Sequence, residues 1–142
     1  IEAKESFQFI ILQYPNSEYA MDAEFKLELI EEILAAKEMY IGRFYLKKEK
    51  WIPAINRFKK VVEDYETTIF AEEALHRLVE VYYKIGLVEE SKKYAITLGY
   101  NYQSGEWYEK SYKVFNKKYK IKKIKKDKKM GLIRKKIKSL FE

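Results

Sequence analysis

The stretch FQFIILQYPNSEYAMDAEFKL, residues 7–27, aligns with FKKVVEDYETTIFAEEALHRL, residues 58–78, at an offset of 51 positions. Five of six marker positions carry the same residue in both copies, and the sixth pairs Pro15 with Glu66. An internal repeat with small and aromatic residues at fixed offsets is typical of stacked helical hairpins. The repeat therefore predicts an all-α solenoid. The identical pairs are Phe7 and Phe58, Tyr14 and Tyr65, Ala20 and Ala71, Ala23 and Ala74, and Leu27 and Leu78.

Breaks in the apolar pattern divide the chain into five predicted helices. Pro15 stops the first helix, Ser17 is a capping residue for the second, and Gly86 and Gly99 bound the last two. The second helix contains no proline and extends over roughly 30 residues, which stretches a repeat of about 34 residues to the observed period. The predicted ranges are 2–14, 19–48, 51–65, 71–85 and 88–98.

Four residues stand at the spacing of the tetratricopeptide repeat. Gly42 and Ala54 are small residues for the close approach of two helices, and Tyr45 and Phe58 are aromatic residues for the wider gaps. The spacing, together with the offset between the two copies, favours a tetratricopeptide-like helical-hairpin solenoid with one elongated helix.

The composition supports an ordered helical chain. Hydrophobic residues make up 47% and aromatic residues 16%, whereas the chain has only five glycines and two prolines. The absence of cysteine excludes disulfides, thiolate zinc sites and a cysteine nucleophile. No apolar run reaches the roughly 20 residues that span a bilayer, which predicts a soluble segment. Ile1 opens inside a periodic apolar pattern, so we expect the native start to lie upstream.

The net charge of +7 is concentrated at the C-terminus. Residues 106–142 contain fifteen Lys or Arg and four acidic residues. We predict repeats with an aromatic cap over residues 1–109 and a lysine-rich tail, partly helical or disordered, over residues 110–142, with a short amphipathic helix beyond Gly131. Three interpretations of the tail stay open: a solvated segment, attraction to an anionic membrane surface or acidic partner, and non-specific nucleic-acid binding, which we do not expect because no base-reading fold accompanies it.

No group of residues predicts catalysis. His76 is the only histidine and has no partners at the spacing of an acid–base or metal site, so a structural or surface role is expected. There is no nucleophile elbow and no phosphate-binding glycine loop. We therefore expect a protein that is not an enzyme, with no cofactor and no metal site. Paired acids, such as Glu72 with Glu73, are interpreted as solvated residues on helix faces. Pairs in the first turn of a helix also interact favourably with the helix dipole.

Asn56 and Arg57 are the better candidates for a binding role. They lie on a helix whose other residues pack against its neighbours, and their side chains point away from its apolar face. Arginine is also enriched at protein interfaces. A solvated arginine is the alternative interpretation. The abundant tyrosines recur at the helical interval and predict packing between helices.

Three longer segments resemble the BamD family, the outer-membrane lipoproteins of the β-barrel assembly machinery. They are KEMYIGRFYLKKEKWIPAINRFKKVVEDYETT (37–68), EEALHRLVEVYYKIGL (72–87) and LGYNYQSGEWYEKSY (98–112), and residues 7–27 fit the family's middle repeat. The resemblance covers roughly residues 2–115 and looks like the alphaproteobacterial form. Two features depart from it. Glu66 replaces the proline usual after the repeat tyrosine, and the tail after about Tyr119 has no counterpart.

The resemblance implies a non-enzymatic scaffold of five hairpins on the periplasmic face of the outer membrane. This chain would hold the end of the third repeat, the fourth and the fifth, and the lipidated cysteine would lie upstream. By the same resemblance, the family's proposed groove for nascent outer-membrane proteins would lie mainly in the preceding repeats, and the repeats present here would dock on the periplasmic domain of the BamA subunit.

Under this resemblance we assign partner contact to Asn56 and Arg57. Trp107 and Tyr108 are assigned to capping the last repeat or to contacting a neighbouring subunit. The alternative function, from a different class, is a generic periplasmic tetratricopeptide adaptor that binds extended peptides in its concave groove.

Overall fold

The computed structural model describes residues 2–102 and 105–117. The described residues form helices and connecting turns, which confirms the all-α prediction. The predicted amphipathic helix beyond Gly131 and most of the lysine-rich tail lie outside the described residues. The helices are α1 Glu2–Gln13, α2 Glu18–Lys47, α3 Trp51–Asp64, α4 Ala71–Lys84, α5 Val88–Asn101 and α6 Glu106–Phe115.

The elongated helix α2 is confirmed, and it belongs to two hairpins at once. Ser17 caps it, because its Oγ accepts a hydrogen bond from the Ala20 N–H at 3.1 Å. At a rise of 1.5 Å per residue the 30 residues span about 45 Å. The helix packs against α1 and also against α3.

The close approach of α2 to α3 depends on Gly42. A Cβ atom at this residue would lie 2.6 Å from Cε1 of Phe58, which is a steric clash. Phe58 is fully buried. Gly42 thus has the close-packing role that the sequence predicts, and the ring that it admits is that of Phe58. The central core contains Ala35, Met39, Ala54, Ile55, Phe58, Val61, Tyr65, Ala74, Leu78, Val81 and Tyr82.

The turn between α3 and α4 is closed by a threonine. Thr68 Oγ1 donates to the Tyr65 carbonyl oxygen at 2.7 Å, and the Thr68 N–H donates to the same oxygen at 3.1 Å. Thr68 is buried although it is polar. These two bonds close the turn that contains Glu66.

A glycine in the left-handed region connects α4 to α5. Gly86 has φ +86°, a conformation that costs glycine little and other residues about 1–2 kcal/mol. The hairpin is closed by parallel stacking of Tyr82 on Tyr94, with ring centroids 5.5 Å apart. The fully buried Ser91 donates to the Val79 carbonyl oxygen at 2.7 Å and so pins α5 to α4.

The end of the fold differs from the sequence prediction in two ways. Helix α5 continues through Gly99 to Asn101 instead of ending at Leu98, and α6 begins at Glu106. Gly99 faces α6, where a Cβ atom would lie 2.9 Å from Cε2 of Tyr108. The glycine therefore serves close packing rather than helix termination. The boundary predicted between residues 109 and 110 lies inside α6.

Candidate partner-binding surface

Asn56 and Arg57 lie on a shallow surface depression beside the contact of α3 with α2. Asn56 is exposed, and the neighbouring Ile52 is an exposed apolar side chain. The depression has a volume of about 340 Å³. Its mixture of an apolar side chain, an amide and a cation is typical of a protein-binding surface. The lining residues are Tyr45, Ile52, Pro53, Asn56, Arg57 and Lys60.

A buried carboxylate holds the Arg57 guanidinium in place. Nη1 of Arg57 donates to Oε2 of Glu38 at 2.9 Å, and the hydrogen bond and charge of Glu38 raise the pKa of Arg57 above its ordinary value. Glu38 on α2 is only 8% exposed, whereas the Arg57 side chain keeps 40% of its surface. A guanidinium carries five N–H donors, so one bond to Glu38 leaves others for an external acceptor. Arg57 is thus pre-oriented and still accessible.

Glu38 is a residue that the sequence reasoning missed. Its chain neighbours Lys37 and Met39 give no sign that its side chain points inward. The available signal was positional, since it lies one helical turn before Gly42 on the face that α3 covers. The structure shows that this face buries an acid because Arg57 from the next helix neutralises it.

Trp107 and Tyr108 lie on α6 and pack in different ways. The Trp107 ring lies 5.1 Å from the His76 ring, with the Lys110 ammonium 4.1 Å from its centroid. The Tyr108 ring lies 4.6 Å from the Tyr112 ring. Both tyrosines adjoin Gly99, so α6 covers the end of the last hairpin. Because α6 packs on α4 and α5, whereas α3 packs on α2 and α4, the two predicted pairs belong to different helix contacts.

A network of charged residues joins α2 to α4, and the interpretation of Glu73 as a solvated residue is wrong. Glu73 is buried and accepts hydrogen bonds from Nε and Nη2 of Arg43, the former at 3.0 Å, and from Nε of Arg77 at 3.3 Å. Burial raises the pKa of Glu73, but the hydrogen bonds and charges of the two arginines outweigh it and leave the pKa below its ordinary value. A bidentate arginine pair compensates for the burial of this acid.

The network continues along α4. Arg77 Nη1 donates to Oε2 of Glu80 at 2.7 Å, and His76 Nε2 lies 3.5 Å from Oε1 of the same residue. Burial raises the pKa of Glu80, but the hydrogen bonds and charges of His76 and Arg77 together lower it to about 2. The Trp107 ring lies beside this network, 5.4 Å from the Arg77 guanidinium carbon. These contacts fix α6 on α4.

Ser111, His76 and Glu80 form a chain that resembles a catalytic triad in composition. His76 Nδ1 and Ser111 Oγ are 2.8 Å apart. Ser111 is fully buried and His76 nearly so, and a nucleophile needs a surface from which it can reach a substrate. The arrangement satisfies the polar atoms of a buried histidine, which agrees with the structural role expected for His76.

The described part of the chain lacks two other classes of site. No group of three or more histidine, cysteine or acidic residues there has the geometry to hold a metal ion. Within the same ranges, no helix is both long and apolar enough to cross a membrane.

Comparison with known proteins identifies the family. The model of the outer membrane lipoprotein family YfiO matches residues 1–98. The chain is 49% identical over 112 residues to the outer membrane protein assembly factor BamD of Rickettsia prowazekii, which covers 79% of this chain and 45% of that protein. It is 45% identical over 115 residues to BamD of Caulobacter vibrioides, covering 81% of this chain and 38% of that protein.

A more distant relative is BamD of Neisseria meningitidis serogroup A, 35% identical over 85 residues, which covers 60% of this chain and 32% of that protein. The chain therefore spans less than half the length of these relatives. The resemblance read from the sequence is confirmed by the family match and by the two higher identities. The chain belongs to the YfiO family of outer membrane lipoproteins, whose relatives named above are the assembly factors called BamD.

Proposed function

We propose that this chain is the C-terminal, scaffold-forming part of a subunit of the outer-membrane β-barrel assembly machinery, and that it docks on the periplasmic domain of the BamA subunit. The proposal places the chain on the periplasmic face of the outer membrane. It assigns no reaction and no cofactor to the chain. Contact with nascent outer-membrane proteins is assigned mainly to the repeats that precede this part in the longer relatives.

The observation that carries the proposal is the Arg57 guanidinium held at the rim of the depression by Glu38. A cation fixed by a buried carboxylate is pre-organised, so binding an external carboxylate costs little side-chain entropy. The exposed Asn56 and Ile52 add a polar and an apolar contact next to it. We therefore expect the docking partner to present an acidic side chain beside a small apolar surface.

The test is the affinity of this chain for the periplasmic domain of the cognate BamA, measured by calorimetry. We expect Arg57→Gln, which can still hydrogen-bond Glu38, to weaken binding by about 30-fold, the effect of losing roughly 2 kcal/mol at an interface hot spot. Lys93→Gln removes a charge from an exposed residue of α5 and is the matched control. We expect it to leave the affinity unchanged.

Two further measurements separate the repeats from the tail. A chain that ends at Lys117 retains every described helix, and we expect it to bind with undiminished affinity. If Arg57→Gln and Asn56→Ala both keep the affinity within twofold, the depression is not the docking site. If the unaltered chain does not bind the BamA domain at all, the adaptor hypothesis replaces the scaffold proposal.

A further inference from the structure

The N-terminal half of α2 has an unusual surface that the proposed docking site does not use. Residues 18–32 contain six acidic residues and a single lysine. On the same helix, Phe25, Leu29 and Ile33 recur at four-residue spacing and are 66%, 51% and 60% exposed. A surface with an apolar row beside dense negative charge is complementary to a segment that is both apolar and basic.

A cavity of about 580 Å³ lies on this surface, where α2 meets the turn between α3 and α4. Glu32 projects into it. Its Oε1 accepts the Ile69 N–H at 3.1 Å, while its Oε2 is buried without a hydrogen-bond partner. A buried carboxylate oxygen without a donor is costly, so the site favours a ligand that brings an ammonium or guanidinium group. The cavity is lined by Phe25, Glu28, Leu29, Glu31, Glu32, Thr67 and Thr68.

The chain itself contains a segment of matching chemistry. Residues 118–142 carry twelve Lys or Arg and two acidic residues, although their structure lies outside the described residues. Within them, Ile133, Ile137 and Leu140 stand at the three- and four-residue spacing of an amphipathic helix, with basic residues between. A helix with this sequence would carry an apolar stripe bordered by basic residues.

The length of chain suffices for an intramolecular contact. Helix α6 runs alongside α4 in the same direction, since Gly105 adjoins Glu72 near the start of α4 and Phe115 contacts Tyr83 near its end. The tail therefore leaves the fold about 20 Å, the length of the 14-residue α4, from the level of the cavity. Residues 118–131, when extended, reach about 45 Å. The linker can return to the cavity with length to spare.

We propose that the basic amphipathic segment 132–141 docks in its own chain on the acidic apolar surface formed by α2 and the α3–α4 turn. Its isoleucines cover the row of Phe25 and Leu29, and its lysines face Glu28 and Glu32. The link through residues 118–131 keeps the segment at high local concentration, which favours this contact over binding to a second molecule.

The test is the distance between two spin labels in the 142-residue chain. The 142-residue chain has no cysteine, so Lys37→Cys on α2 and Ser139→Cys in the tail label two chosen positions outside the cavity. Electron–electron resonance then gives the distance distribution. We expect one narrow distribution, and we expect it to persist when the labelled protein is diluted twentyfold with unlabelled protein.

A pair of double variants provides the control. Glu28→Lys with Leu29→Ser changes the cavity, and we expect it to lower the docking equilibrium constant at least about tenfold and to broaden the distribution. Glu63→Lys with Ile96→Ser makes the same change in charge and apolar character at exposed positions elsewhere. We expect this second variant to keep the narrow distribution. Circular dichroism shows that both variants are folded.

Three results would overturn the proposal. A broad distribution in the unaltered chain would show an undocked tail. A narrow distribution that disappears on dilution with unlabelled protein would show an exchange of tails between molecules. A distance distribution that broadens equally in both double variants would show that the tail docks at some other surface. Addition of anionic vesicles to the unaltered chain would then reveal whether the tail binds membranes instead.

Discussion

Replacing Gly42 by alanine tests the packing on which the repeat depends. The added Cβ would lie 2.6 Å from Cε1 of Phe58 and 3.0 Å from both Cδ1 and Cζ. The ring is fully buried, so it can move only by displacing its neighbours in the core. Overpacking of this kind costs about 1–3 kcal/mol, while alanine in place of glycine inside a helix gains about 1 kcal/mol. The difference is a net loss of about 0–2 kcal/mol, and we expect a value in the upper half of that range because a buried aromatic ring yields little.

The assay is urea unfolding followed by circular dichroism, with the thermal midpoint as a second measure. A loss of 1 kcal/mol lowers the midpoint by about 4 °C for a domain of this size. In the control, Phe58→Leu relieves the contact, and Gly42→Ala should then cost at least 1 kcal/mol less than in the unaltered background. An increase in stability on Gly42→Ala in the unaltered chain, as at an open helical site, would refute the close-packing argument.

Other features of the fold give independent predictions. Gly105→Ala should loosen α6, because the new Cβ would displace the Glu72 carboxylate, which accepts hydrogen bonds from the backbone of Trp107 and Tyr108, and hydrogen exchange of the α6 amides should accelerate. Gly86→Ala should cost about 1–2 kcal/mol through its positive φ alone, since no atom lies within 4 Å of the added Cβ, and urea unfolding measures the loss. Burial raises the pKa of Glu80, but the adjacent imidazole and guanidinium outweigh this effect and lower the pKa to about 2, below its ordinary 4.5. The ionised Glu80 carboxylate therefore contributes fully to stability above pH 4.5, and this contribution is lost as the pH falls toward 2. We expect Glu80→Gln to make the thermal midpoint less dependent on pH between 4.5 and 2. Ser17→Ala should cost about 1 kcal/mol in thermal unfolding by removing the cap of α2.

The helices were predictable because local signals dominate their boundaries. Pro15, Ser17 and Gly86 each act within a few residues of their position, and the structure places helix ends beside all three. Gly99 misled the sequence reading because glycine has two uses. One is the turn at a helix end, and the other is room for a neighbouring ring, here Tyr108. The choice between them depends on a helix that arrives later in the chain.

The polar contacts were the part that sequence alone could not supply. Glu73 and Glu38 look like ordinary surface acids, and each is buried because an arginine from another helix neutralises it. Arg43 is 30 positions from Glu73, and Arg57 is 19 positions from Glu38. A pattern read along one helix has no access to such pairs. The candidate residue Arg57 was therefore predictable by type, whereas its orientation was not.

The sharing of α2 by two hairpins has a consequence for how the chain unfolds. In an ordinary repeat array each unit contacts only its neighbours, so terminal units can open one at a time. Here α1 and α3 pack on the same continuous helix. Melting α2 would release both hairpins together, and an intact α2 keeps the register of one hairpin fixed relative to the next. The helix thus couples the repeats into a single cooperative unit. A change in the free energy of one helix interface changes the stability of the other.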